Sequence, residues 1–349
     1  MKIAQVSSLM EAVPPKLYGG TERVVANLTD ELVDMGHDVT LFASGDSVTK
    51  AKLEAAWPQA MRLDTTVTDY LAPHVLMLER IARRAHEFDI VHLHVDYLGY
   101  PILSRSGVPF LATLHGRLDL AALPPLYAMF SDVPVVSISD NQRLPLPEAN
   151  YVATIYHGLP QELLKAGPGD GGYLAFIGRI SPEKAPDAAI RIAGKAGMKL
   201  KIAAKIDNVD RAYFEEKIEP LLALPHVEYI GEINDSQKSD FLGNAAALLF
   251  PIAWPEPFGM AMIEAMACGT PVIAMRNGSV PEVVDEGKTG YIVESEEQAV
   301  AALQKLHALD RREVRRVFDK RFSARRMAED YLSVYQQLIE KDQPKLMAV

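Results

Sequence analysis

Residues Pro255 to Ile273 read PEPFGMAMIEAMACGTPVI, and the reading of this stretch decides the fold. Glu256 and Glu264 stand eight residues apart, with the bend Pro257-Phe258-Gly259 directly after the first. The apolar residues that follow recur at helical spacing, so a loop carries Glu256, a helix starts near Met260, and Glu264 falls in its second turn. Gly269 stops that helix and Pro271-Val272-Ile273 opens a strand. A helix amino end exposes unpaired N–H groups and the positive end of the dipole, which suits a phosphate. Gly259 lets a ligand approach the backbone closely. An anion there, flanked by two carboxylates that accept from hydroxyls, is the chemistry of a nucleotide-sugar site.

The same strand-to-helix rhythm runs through the chain. Strands are predicted at Lys2–Val6, Asp38–Phe42, Asp89–His94, Pro109–Leu114, Pro134–Ile138 and Val152–Tyr156, then at Tyr173–Ile177, Lys199–Ala203, Val227–Ile230, Ala247–Phe250 and Pro271–Ala274. Helices fit Thr21–Met35, Ala185–Ala196, Asp210–Leu224, Ser236–Asn244 and Gln298–Ala308. Repeated βαβ units mean parallel sheets covered by helices, and at 349 residues two such domains are the default. The glycine-rich run from Lys165 to Gly172 reads as the linker between them. Its G-x-G-x-x-G spelling precedes a strand, where a dinucleotide fingerprint needs a strand before it and a helix after it.

Three further clusters fit anion or sugar chemistry. Gly178-Arg179 ends a strand, and Lys184 follows in the next turn; a planar fork and a compact charge suit a diphosphate, and ligands of open α/β sheets sit beyond strand carboxyl ends. The plainer reading is surface cations paired with Glu183 and Asp187. Tyr18-Gly19-Gly20-Thr21-Glu22 opens the first helix and permits backbone contact with an anion, or is a plain flexible loop. His115 ends a strand, where its ring can bond a hydroxyl or phosphate oxygen; His157-Gly158 marks a crossover between the halves. His92, His94 and Asp96 alternate along one strand, either as a metal trio or as residues within the sheet.

A net charge of −10, from 46 acidic and 36 basic residues, argues against a general nucleic-acid binder. Cys268 is the only cysteine, which removes disulfides and cysteine-based zinc sites. No export signal or spanning segment is read, so a cytoplasmic location is expected. Arg311, Arg312, Arg315, Arg316, Lys320, Arg321, Arg325 and Arg326 form a basic run, read first as a solvated helix face and second as a weak peripheral contact with an anionic membrane. Met327, Tyr331, Val334 and Leu338 form a helical stripe that must pack on something.

Taken together, GGTE, the GR…PEK segment, EPFGMAMIEAMACGTPVI and FSARRMAEDYLSVY resemble a family 4 retaining glycosyltransferase of the GT-B fold over nearly the whole chain. The resemblance implies two Rossmann-like parallel-sheet domains facing a central cleft. Residues 1–160 would form the acceptor-side domain, 161–322 the nucleotide-sugar domain, and 323–349 a helix crossing back to the first domain. It implies a catalytic set of Arg179, Lys184, Glu256 and His115. Glu256 would bond hydroxyls of the transferred sugar, Arg179 and Lys184 would hold the diphosphate, and His115 would contact the donor sugar. A donor-binding set would comprise Gly19, Gly20, Gly178, Phe258, Gly259, Met260, Ala261 and Glu264, the last accepting from ribose hydroxyls. The expected reaction moves a hexose from a nucleoside diphosphate sugar, UDP-glucose first among donors, to a hydroxyl of a small molecule or glycan. No metal and no cofactor are expected, because two side-chain cations can do magnesium's work. The sequence leaves the oligomeric state open. A nucleotide-sugar epimerase and a non-catalytic sugar-nucleotide binder are the rival readings. The chain departs from the family pattern at Ala185, where glycine is common, at His157-Gly158-Leu159, where Asn-Gly-Val is common, and at Ala204-Lys205, where Gly-Glu is frequent.

Overall fold

The computed structural model describes residues 1–16 and 19–342. Tyr18, and the part of the expected 323–349 segment beyond residue 342, lie outside the described residues. The chain forms two compact units, Met1–Gly158 with Ala324–Val349, and Leu159–Ser323.

The first unit holds a seven-stranded sheet of β1 (Lys2–Val6), β2 (Asp38–Ser44), β3 (Lys52–Trp57), β4 (Ile90–Leu93), β5 (Phe110–Thr113), β6 (Val135–Ser137) and β7 (Tyr151–Thr154). Their spatial order is β3-β2-β1-β4-β5-β6-β7, with parallel pairing throughout. Its core is built around Ala4, Val6, Val91, Leu93, Leu111 and Ala112, all buried. Such continuous apolar runs are what a parallel sheet covered on both faces requires. The helix Ala324–Asp342 belongs to this unit and buries Met327, Tyr331, Val334 and Tyr335. Tyr331 and Tyr335 are four residues apart, so they share a face and both reach the sheet. Tyr335 was not in the stripe read from the sequence; it packs more deeply than Leu338, which is half-buried.

The second unit holds six strands: β8 (Tyr173–Arg179), β9 (Lys199–Lys205), β10 (Val227–Gly231), β11 (Ala247–Phe250), β12 (Val272–Met275) and β13 (Gly290–Val293). Their order is β10-β9-β8-β11-β12-β13, again parallel. Each sheet reverses its strand order once, between β1 and β4 and between β8 and β11, which marks the switch points where open α/β sheets bind ligands.

Three sequence expectations need correction. The Lys165–Gly172 run is not a linker, because it is packed into the second unit. Gly167, Gly169 and Gly171 donate backbone bonds to Cys268, Gly243 and Asn244, and the units divide at Gly158 and Leu159. The basic run is not one solvated face. Arg311 donates to the carbonyls of Gly167, Ala245 and Gly243 and to Thr270, and Arg315 donates to those of Leu164, Ala267 and Gln161. These guanidiniums staple loop carbonyls, a job suited to a fork of five donors. The helix expected over Asp210–Leu224 is broken into short pieces, with a wide π turn at Phe214–Ile218 just before Pro220. A proline has no N–H to continue the ladder, and a π turn absorbs the mismatch. Among the described residues no helix is long and apolar enough to cross a membrane.

Candidate active site

The helix predicted to begin at Met260 spans Met260–Ala267, followed by Gly269 at φ +69°. Its cap is Gly259 at φ +82°, and no side chain caps the helix. A Cβ at Gly259 would lie 2.7 Å from Met262 Cε and 3.0 Å from Phe250 Cζ, so both conformation and space demand glycine. Met260 and Ala261 are half-buried while the rest of the helix is buried, so the amino end is its open part. That end lies after β11, at the switch point of the second sheet.

Glu256 is buried before this helix, and its Oε2 accepts from Lys184 Nζ at 2.6 Å and from Trp254 Nε1 at 2.8 Å. Its backbone is gripped by Gly278 and Ser279. The Ser279 N–H donates to the Glu256 carbonyl, the Ser279 hydroxyl donates to the Phe258 carbonyl, and a Cβ on Gly278 would lie 2.3 Å from the Glu256 backbone. Lys184 follows β8 across the switch point, so the two motifs are in direct contact. Arg179 ends β8 as well, with its Nε 3.2 Å from Asp210 and its amino groups at 3.9 Å from Glu183 and 4.0 Å from Asp207. Gly178 precedes it, paired with Ala204 of β9. Ala185, at the position where family members commonly carry glycine, adopts a left-handed φ of +49° as the cap of helix Pro186–Ala196. That costs a non-glycine residue about 1 kcal/mol, the physical reason for the family's glycine.

Glu264 lies buried on the second turn, where its Oε1 accepts from Lys238 Nζ at 2.6 Å. Sequence reasoning missed Lys238, which looks like a surface lysine on a polar helix; it also pairs with Asp235 at 3.2 Å. One donor-binding expectation changes character. The Phe258 side chain is a core residue set edge-on to Phe322 at 6.2 Å, and its carbonyl accepts from the Ser279 hydroxyl.

The first unit carries the remaining residues beyond the carboxyl ends of its strands, Gly19 and Gly20 after β1 and His115 after β5. Gly19 caps helix Gly20–Asp34, and a Cβ there would meet Pro15 at 2.8 Å and Glu22 Oε2 at 3.1 Å. Gly20 meets nothing within 4 Å and is open. Burial raises the Glu22 carboxyl above its ordinary value. His115 follows β5, its Nε2 is 2.9 Å from His94 Nδ1, and its ring stacks on His157 at 5.3 Å. Burial pushes the His115 ring down to about 3, and burial with mutual repulsion holds His92, His94 and His157 well below the usual histidine range. The alternative of a metal trio at His92, His94 and Asp96 is not supported. His92 bonds Tyr335 and Thr113, His94 bonds Gln5 and His115, and no metal-holding group of three such side chains occurs among the described residues. Cys268 is buried and its thiol is pushed up to about 12, the profile of an inert packing residue.

Comparisons with known proteins agree with this geometry. Residues 18–136 match the family model described as Glycosyltransferase Family 4, and residues 165–324 match that of Glycosyl transferases group 1. An uncharacterized glycosyltransferase of Methanocaldococcus jannaschii is 25% identical over 273 residues, covering 72% of this chain and 76% of that protein. The crystal structure of AviGT4, a glycosyltransferase involved in avilamycin A biosynthesis, is 25% identical with a TM-score of 0.72, covering 97% of this chain and 98% of that one. Anabaena HepE, solved with UDP-glucose, shares the fold at a TM-score of 0.75 and 18% identity, covering 97% of this chain and 100% of that one. With both halves matched in order, and with two parallel sheets whose switch points carry the motif residues, the chain belongs to the family 4 glycosyltransferases of the GT-B fold.

Proposed function

We propose that this transferase moves a hexose from a nucleoside diphosphate sugar, UDP-glucose first among donors, to a hydroxyl of a small molecule or glycan. Configuration at the anomeric carbon is retained and no metal is needed. The observation that carries the reading is the Lys184–Glu256 pair beside the uncapped amino end of helix Met260–Ala267. HepE, a structural relative, binds UDP-glucose, which supports the choice of donor.

In this reading the diphosphate lies on the backbone N–H groups of Met260 and Ala261 and is met by Lys184 and Arg179. Lys184 has three donors and spends one on Glu256, so two remain for phosphate oxygens. Glu256 turns its second oxygen to sugar hydroxyls, and Glu264 accepts from the ribose. Charge grows on the leaving diphosphate as the glycosidic bond breaks, and fixed donors stabilise it without reorganising. The transition state is oxocarbenium-like, and in this reading no side chain attacks the far face of the sugar. The departing phosphate therefore takes the acceptor's proton on the same face.

A thermal-shift panel of UDP-, GDP- and ADP-sugars in EDTA tests the donor, since a ligand bound only by the native state raises the melting point. UDP-glucose should give the largest shift, and turnover should persist in EDTA; no shift with any sugar nucleotide, or loss of turnover with the chelator, refutes the reading. Glu264→Ala would leave the buried Lys238 ammonium with Asp235 as its remaining acidic partner, a loss of stability smaller than the about 3–5 kcal/mol of a fully broken buried pair. Isosteric Glu264→Gln is the cleaner variant. It is expected to weaken UDP binding several-fold with little loss of kcat, while Glu256→Gln lowers kcat and leaves UDP affinity nearly unchanged. Titration calorimetry with UDP and steady-state rates separate the two.

A further inference from the structure

A chain of buried polar groups crosses the first unit from helix Ala324–Asp342 to the end of β5, and none of the roles above explains it. Tyr331 Oη is 2.8 Å from Thr113 Oγ1, and Thr113 is 2.7 Å from His92 Nε2. His92 Nδ1 is 2.7 Å from Tyr335 Oη, to which Gln5 Nε2 donates at 3.0 Å. Gln5 Oε1 is 2.8 Å from His94 Nε2, and His94 Nδ1 is 2.9 Å from His115 Nε2. The chain ends at His115 Nδ1, which is buried and has no hydrogen-bond partner. A buried polar atom left unpaired costs about 1–3 kcal/mol, so this one is reserved for something.

Hydrogen-bond bookkeeping fixes what it is reserved for. An amide oxygen only accepts, so His94 must carry its proton on Nε2 to bond Gln5 Oε1. Neutral His94 then has a bare Nδ1, which can only accept, so His115 must carry its proton on Nε2. Neutral His115 therefore presents a bare Nδ1. Both rings stay neutral in this setting, because burial disfavours their charged forms.

We propose that Gln5 and His94 are positioning residues that lock His115 in the tautomer whose Nδ1 accepts a hydrogen bond from a substrate hydroxyl. The same nitrogen in the other tautomer would be a donor, suited to a phosphate or carbonyl oxygen instead. The lock thus selects a sugar O–H over an anion at this point. Gln5 lies on β1 and never needs to touch the substrate; its amide sets the direction of every bond that follows. The inference rests on the glycosyl-transfer reading only for the identity of the hydroxyl.

Nitrogen NMR of the full chain with labelled histidine tests it. The wild-type protein at neutral pH should show His115 with a protonated Nε2 and a bare Nδ1. A protonated Nδ1 overturns the proposal, whatever the donor proves to be. UDP-glucose, UDP, and glucose in the presence of UDP are then added in turn. A shift of the bare nitrogen with UDP-glucose but not UDP assigns the hydroxyl to the donor sugar, and a shift only with glucose assigns it to the acceptor side. No shift with either sugar overturns the proposal. Failure of the donor reading shows separately, as the lack of any UDP-dependent thermal shift. Gln5→Leu should release His115 into a mixture of tautomers and raise the KM of the sugar substrate roughly tenfold, the worth of one hydrogen bond, with a smaller change in kcat. Gln5→Leu with His115 unchanged in tautomer would assign Gln5 a packing role only and overturn its part.

Discussion

Lys184→Ala is expected to lower kcat by about a hundredfold to a thousandfold, the usual loss when one preorganised donor is removed from developing charge. Two effects combine at this residue. The leaving diphosphate loses a cation, and Glu256 keeps only Trp254 as its side-chain partner in a buried setting. The second effect is structural and must be separated from the first. Lys184→Arg keeps a charge near Glu256 and should recover part of the stability, while its planar fork sits poorly where a compact ammonium stood. Single-turnover rates at saturating donor, read beside melting temperatures, divide the two. A Lys184→Ala enzyme with wild-type kcat would remove this side chain from the chemistry.

The second large effect concerns pH. His92, His94, His115 and His157 are held neutral by burial, and His74, which accepts from the Leu9 N–H, is lowered for the same reason. A histidine whose folded value lies below its unfolded value of 6.5 binds fewer protons when folded. Its stabilising contribution is fully present above pH 6.5 and is lost as the pH falls below that value. Each such ring contributes at most about 1.4 kcal/mol per pH unit, so His92, His94, His115 and His157, the four lowered farthest, together reach at most on the order of 5 kcal/mol per unit. Glu22 works the other way: its raised value means that the folded form takes up a proton more readily as the pH falls. One carboxyl cannot offset the histidines. Urea unfolding followed between pH 7.5 and pH 5.5 should show the first unit losing stability steeply, in a range where ordinary carboxylates are still ionised. A flat profile across that range would mean that the histidine chain is open to water.

What was legible in the sequence depended on local grammar. Gly259 and Gly269 bracket an apolar run, so helix Met260–Ala267 and the position of Glu264 could be read from spacing alone. Strands β1 and β11 were read to the residue, because their ends are marked and their cores are continuous. β3 and β13 were missed because they are edge strands and only partly buried, so neither shows a continuous apolar run. The partners of the site residues were harder to see. Lys238 reaches Glu264 from a helix 26 residues away, and Gly278 and Ser279 support Glu256 from the turn after β12; no local pattern announces such pairings. The histidines show the same limit. Alternation along β4 put His92 and His94 on one face, which fits a metal site, but the neighbours that satisfy them are Gln5, Thr113 and Tyr335, remote in sequence. Arg311 and Arg315 likewise read as surface charge until the carbonyls that they staple are known.

The most direct measurement is a crystal structure with UDP-glucose bound. The account predicts the diphosphate on the amino end of helix Met260–Ala267, with phosphate oxygens within hydrogen-bond distance of the Met260 or Ala261 backbone and of Lys184. A donor seated elsewhere, or a diphosphate held without Lys184 and away from that helix, would contradict it.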